Sequence, residues 1–131
     1  MSPLQVALAW QQAANQQDIE QLMALSDPDI EIIGPRGSAF GHDILRQWLA
    51  RAGLTLSTRR MFARENTVVI AQHGIWRSSE TGNLPSEAEV ASCFVCTEGR
   101  VTKLSRHDHL TEALQTAGLT ENDEVLSTPE L

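Results

Sequence analysis

His107 and His109 flank Asp108 late in the chain, and His73 lies in an earlier stretch rich in β-branched residues. Imidazole titrates at about 6.5 when unperturbed, so it can take or give a proton near neutral pH. If the chain from 106 to 109 continues as a strand, His107 and His109 face one side and Asp108 points away. His73 could then approach from across a sheet. Two readings stay open. The imidazoles form an acid–base site in a pocket, or they are structural groups at a strand end, solvated or hydrogen-bonded. H-x-H also supplies two metal ligands on one face, with His73 as the candidate third. That set is incomplete by itself, and we assign no metal and no cofactor.

Other reactive residues give less. Cys93 and Cys96 form a lone C-x-x-C whose flanks, Val90-Ala91-Ser92 and Phe94-Val95, read as strand. Residues three apart on a strand face opposite ways, so these are expected to be two unpaired thiols in a reducing compartment. Arg59, Arg60 and Arg64 fall on one predicted strand, and Arg51 just before it. We read them as salt-bridging groups. Arg36, in a loop after the first strand, is a candidate contact for an anionic ligand at a pocket mouth.

Elements must position these groups. Ser2 and Pro3 are an N-cap and first-turn pair, and Leu4, Ala7, Leu8 and Ala14 recur near the helical period with Trp10 beside them. Asp18 with Gln21 starts a second helix, which Ser26-Asp27-Pro28 stops. Ile30, Ile32 and Ile33 mark a short strand, closed by Gly34-Pro35-Arg36-Gly37 as a loop. A third helix is predicted over 41–52, with Trp48 on its apolar face. Four long strands are predicted over 54–65, 67–79, 87–97 and 100–108, with turns at Glu65-Asn66 and Glu98-Gly99. A short last helix covers 110–117. Helices first and a hairpin-linked meander afterwards predict an α+β fold, with the helices on one face of a curved antiparallel sheet.

The chain has 131 residues, 41% of them hydrophobic, enough for one core and too apolar for a disordered chain. Seventeen acidic against ten basic residues leave a net charge of −7, which argues against a nucleic-acid partner. No apolar run is long enough for a membrane span. Met1-Ser2-Pro3-Leu4-Gln5 lacks the charged and apolar regions of a secretory leader, so a cytoplasmic location is expected. The domain is expected over 1–119. Glu121, Asp123, Glu124 and Glu130, with no base among them, mark 120–131 as a loose acidic tail.

Three segments carry a family resemblance. Ala14-Asn15-Gln16-Gln17-Asp18 with Leu22 and Leu25, then Asp27-Pro28-Asp29-Ile30, is one. Gly34-Pro35-Arg36-Gly37 followed by Gly41-His42-Asp43-Ile44-Leu45 through Leu49 is the second. Gly99-Arg100-Val101 through His109, then Leu114-Gln115 and Gly118-Leu119, is the third. In this order they resemble the cone-shaped nuclear transport factor 2-like superfamily, and within it the polyketide-cyclase-like (SnoaL-like) branch.

The resemblance implies site positions. The catalytic carboxylate of ketosteroid isomerases matches Gly34, their oxyanion tyrosine matches Trp10, and their second acid falls near Ala91 or Ser92. None of these is a carboxylate or phenol, so that isomerisation is not expected. The cyclase branch's late-strand aspartate matches His109. The resemblance thus implies proton transfer on a small apolar carbonyl metabolite, with His109 as base, His107 or His73 as its partner, and Trp10, Gly34, Arg36 and Ser92 around the ligand. A homodimer is implied as well, with Trp76 on the sheet face it uses. The alternative is a non-catalytic ligand-binding or homodimeric module whose histidines are structural.

Overall fold

The structure is a computed structural model, and it describes residues 2–34, 37–51, 54–76 and 86–126. Helix α1 (Pro3–Gln16) opens as its sequence predicts. The Ser2 hydroxyl accepts the Gln5 N–H at 3.2 Å, and the Gln5 side chain accepts the Ser2 N–H at 2.7 Å. This reciprocal pair satisfies backbone donors that a helix start leaves open, and Pro3 has none to satisfy. The helix ends where Gln17 turns left-handed at φ 54°. The Asp18 carboxylate caps α2 (Ile19–Ala24) by accepting the Gln21 N–H at 3.1 Å.

The remaining elements follow in the order β1 (Ser26–Gly34), β2 (Gly37–Phe40), α3 (His42–Arg51), β3 (Leu54–Arg64), β4 (Thr67–Trp76), β5 (Ser86–Thr97), β6 (Arg100–His107), α4 (Leu110–Ala117), a 3-10 turn (Glu121–Asp123) and β7 (Glu124–Val125). Among the described residues the curved sheet has seven strands in the order β2-β1-β6-β5-β4-β3-β7. The α+β class and the central meander match the sequence reading. At the β5–β6 hairpin Glu98 and Gly99 take φ values of 53° and 78°, the left-handed pair that a tight two-residue connection needs.

Three features differ from expectation. The sheet is mixed, because β1 lies parallel to β6 in an otherwise antiparallel set. About half of the chain lies between these two strands, so their pairing leaves no local sequence signal. Residues 37–40, where the sequence reading places the end of a loop at Gly37 and no strand, form β2; Gly37-Ser38-Ala39-Phe40 has no β-branched residue and is held by its ladder to β1. The acidic segment is tied down over 120–126. Glu124 and Val125 pair with Phe62 and Met61 of β3. Arg60 grips Glu124 in a two-bond fork at 2.8 and 3.0 Å and also bonds Glu121, while Arg64 reaches the Gly118 carbonyl and lies 3.8 Å from Asp123. The acids have their bases on β3, far away in sequence.

The sheet has two differently covered faces. On the inner face, α1 and α2 lay Leu4, Val6, Ala7, Trp10, Ala13 and Leu22 against Val68, Ile70, Phe94 and Leu104. On the outer face, α4 packs Ala113 and Leu114 over Phe62, Val69, Ala91 and Cys93. Cys93 is therefore outward and Cys96 inward, both buried and unpaired, as their spacing predicts. Their burial pushes both thiols upward, Cys96 to about 12.

Candidate functional site

Cross-strand register sorts the predicted site residues onto opposite faces. Ser92 on β5 pairs with Ile70 of β4 and Arg106 of β6. Ile70 belongs to the inner core, so Ser92 and Arg106 face inward with it. Ser92 is buried, and its hydroxyl donates to Gln72 Oε1 at 2.7 Å. Gln72 Nε2 donates to Gln11 Oε1 at 2.6 Å, and Gln11 Nε2 donates to Thr58 Oγ1 at 2.9 Å. Gln72 is fully buried and Gln11 nearly so. A polar row thus crosses an apolar interior, from β3 and α1 through β4 to β5, with Arg106 next on β6. Burial holds the Arg106 guanidinium below its ordinary pKa, yet a guanidinium stays charged at any physiological pH.

Trp10 also faces this interior. Its ring meets Phe94 edge-on with centroids 5.7 Å apart and planes at 71°. Its indole N–H donates to Ser26 Oγ at 2.9 Å, and Ser26 passes its own hydrogen to the Leu22 carbonyl at 2.7 Å. The donor considered for an oxyanion is therefore already used to join α1 to the start of β1. Gly34 ends β1 opposite Gly37. Arg36 lies outside the described residues, as do the side chains of Trp48 and Trp76.

The three histidines occupy other places. His73 pairs with Glu89 across β4 and β5 and shares the outer face with Ala71 and Ala91. Its Nδ1 lies 2.8 Å from Glu89 Oε1 and its Nε2 2.9 Å from Glu87 Oε1. A neutral imidazole has one N–H, so two carboxylate partners favour the doubly protonated ring. Glu87 and then Glu89 accordingly raise its pKa, against opposition from partial burial and Arg59. His107 pairs with Ala91, also facing outward; its Nε2 is 3.1 Å from Ser105 Oγ and its Nδ1 3.5 Å from Glu112 on α4.

The strand that the sequence reading carries to His109 is shorter in the structure. Strand β6 stops at His107, and His109 is the extended N-cap residue of α4, exposed and without a side-chain cap bond. Asp108 and His109 border an open outer groove of about 290 Å³ with Arg59, Arg60 and Glu89. Among the described residues no group of three ligands is placed to hold a metal ion. His42, the first residue of α3, puts Nε2 3.0 Å from the Ser26 carbonyl.

The sequence reading misses the inner row itself. Gln72 follows Ile70 by two, and Arg106 follows Leu104 by two, so alternation from two core residues carries the signal. The charged neighbours of Arg106 mask it.

The arrangement gives the interior hydrogen-bonding and one cation within apolar walls, but no group in the row that takes a proton at neutral pH. The comparisons agree with this architecture. The SnoaL-like domain family matches residues 7–104. No curated protein matches the sequence. Among solved structures, the chain is similar to TerC co-crystallized with polyporic acid, at 20% identity and TM-score 0.72, covering 88% of this chain and 98% of that one. It is similar to RV0760c from Mycobacterium tuberculosis in complex with estradiol-17beta-hemisuccinate, at 18% identity and TM-score 0.72, over 85% and 97% of the two chains. An NTF2-like protein of unknown function from Cytophaga hutchinsonii shows 13% identity and TM-score 0.71, over 86% and 94%. With its helices, mixed sheet and family match in agreement, this chain belongs to the SnoaL-like domain family of the nuclear transport factor 2-like superfamily.

Proposed function

We propose that the protein binds a small, largely apolar molecule between α1 and the inner face of the sheet. The observation that carries this reading is the buried row Gln11, Gln72 and Ser92, which places oriented polar groups inside an apolar interior. Ligand pockets combine apolar walls with a few placed polar groups in this way. The ligand-bound states of TerC and RV0760c support the same use of the fold. Trp10 and Ser92 then line the ligand site, and the family resemblance adds Gly34 and Arg36 as ligand contacts. Binding without proton abstraction fits the row best, because amides, hydroxyls and a guanidinium are not bases at pH 7.

A second reading keeps His109 as a general base, with His107 or His73 as partner, acting on a carbonyl compound. It is favoured by the place of His109 on the outer groove beside Asp108 and Glu89. A homodimer through the outer sheet face and a cytoplasmic location belong to this proposal too. The two buried free thiols suit a reducing compartment. No described helix is long and apolar enough to cross a membrane.

The test is amide chemical-shift mapping with 2-naphthamide, a neutral fused-ring probe. Perturbation of Trp10, Gln72, Ser92 and Phe94 is the expected result. Shifts confined to Arg59, Glu89, His109 and Leu110 would move the site to the outer groove and overturn the reading.

A further inference from the structure

We propose that the outer groove is a second binding site and that its ligand is a small zwitterion, an α-amino acid with an apolar side chain. The carboxylate of that ligand seats against Arg59 and its ammonium against Asp108. The groove lies on the face of the sheet opposite the inner row, so this goes beyond the inner-face reading and fails or holds independently of it.

A β-bulge builds the cationic side of the groove. Thr58 pairs with Gln72 and Arg60 with Ala71, so Arg59 is an extra residue between two ladder positions. Neighbouring residues of a strand ordinarily face opposite ways, and a bulge breaks that alternation and re-aims a side chain. Thr58 bonds Gln11 on the inner side, whereas Arg59 and Arg60 both border the outer groove. The two guanidiniums differ in what they can still offer. Arg60 is held by Glu121 and Glu124. Arg59 is exposed and puts Nε 3.9 Å from Glu89 Oε1, beyond hydrogen-bond reach, and that same oxygen lies 2.8 Å from His73 Nδ1. The Arg59 fork can therefore take a carboxylate in two-bond geometry.

The anionic side is Asp108, in the turn between β6 and α4. Among the described residues no hydrogen bond or ion pair engages the side chain of Asp108 or of His109. A neutral imidazole at His109 adds an acceptor beside the carboxylate. Ala71 of β4 and Leu110 of α4 give the groove apolar wall, and its volume of about 290 Å³ is at the small end for a ligand site. A ligand with one charge matches only half of this lining. A plain anion also meets Asp108 and Glu89, and a plain cation also meets Arg59. An amino acid pairs both of its charges and lays its side chain on Ala71 and Leu110. It is neutral overall, so the net charge of −7 neither draws it in nor repels it at long range.

The test titrates the full chain with L-phenylalanine, with phenethylamine, which lacks the carboxylate, and with hydrocinnamate, which lacks the ammonium, and follows amide chemical shifts. Phenylalanine is expected to shift Arg59, Ala71, Glu89 and Leu110. It is expected to bind about fivefold or more tightly than either analogue, between the effect of an exposed ion pair and that of a buried charge-assisted bond. Arg59→Gln is expected to remove the margin over phenethylamine and keep the margin over hydrocinnamate. Asp108→Asn is expected to do the reverse. Both side chains are exposed, so neither change disturbs the core. Arg59→Lys, which keeps the charge and loses the fork, is expected to retain part of the first margin. Equal affinity for the three probes, or margins that survive both variants, would overturn the proposal. So would the absence of groove shifts at the solubility limit of phenylalanine, or shifts at Trp10, Gln72 and Ser92 in their place. Inner-face binding of 2-naphthamide without a phenylalanine response in the groove refutes this proposal alone; the opposite pattern refutes the inner-face reading alone.

Discussion

Replacing Gln72 with leucine tests the inner row at its centre. The side chain has no solvent exposure, and it serves two buried neighbours at once: it donates to Gln11 Oε1 and accepts from the Ser92 hydroxyl. A leucine side chain there fills similar volume and leaves both neighbours unsatisfied. Each orphaned buried group costs about 1–3 kcal/mol, giving a gross loss of about 2–6 kcal/mol. The added apolar burial offsets about 1.5–3 kcal/mol of this. A net loss of about 1–3 kcal/mol is expected, read as a lower urea midpoint with an unchanged slope. Ser92→Ala supplies the decisive control. In the wild type it leaves Gln72 Oε1 without its donor; in the Gln72→Leu background it removes an orphan. Its cost should therefore fall by about 1 kcal/mol or more between the two backgrounds. Wild-type stability for Gln72→Leu, together with the same Ser92→Ala cost in both backgrounds, would refute the row as a coupled unit.

Two further predictions concern titrating groups. His73 has a raised pKa when folded, chiefly through Glu87 and then Glu89, so its stabilising contribution is complete below the unfolded value of about 6.5 and is lost as pH rises through the folded value. Ring-proton NMR should report a folded pKa above that of a free histidine, and the stability gap between wild type and His73→Gln should narrow from pH 6 to pH 9. A gap that widens over this range contradicts the double carboxylate contact. Burial raises both thiols, Cys96 to about 12, so the folded protein should react slowly with an aromatic disulfide reagent at pH 8. Both thiols should react promptly in guanidinium chloride, and rapid labelling of the native protein would show the two strand faces to be more open than their packing indicates.

The chain and its fold agree most closely where the determining contacts are local. Ser2, Pro3 and Gln5 lie within one helical turn, and they form the α1 cap that their types predict. Glu98-Gly99 forms the tight turn between β5 and β6. Agreement weakens where partners are remote. Glu121, Asp123 and Glu124 look unpaired in sequence, yet Arg60 and Arg64 meet them from β3. Gln72 and Arg106 look like ordinary polar residues on strands, and only cross-strand register brings them to the inner face with Ser92 and Gln11.

The sequence by itself determined the order of helices and strands, the helix starts, the hairpin turns and the α+β class, because caps, turn residues and periodicity act over a few residues. The tertiary structure decided facing and partnership. It ended β6 at His107, its last pairing to β5 being with Ala91, and so turned His109 into a helix-capping residue. It set His73 between two glutamates on the outer face and placed Arg106 across from Ser92 on the inner one. A strand's side chains alternate with a period of two, so where pairing starts and stops determines which chemistry reaches the interior.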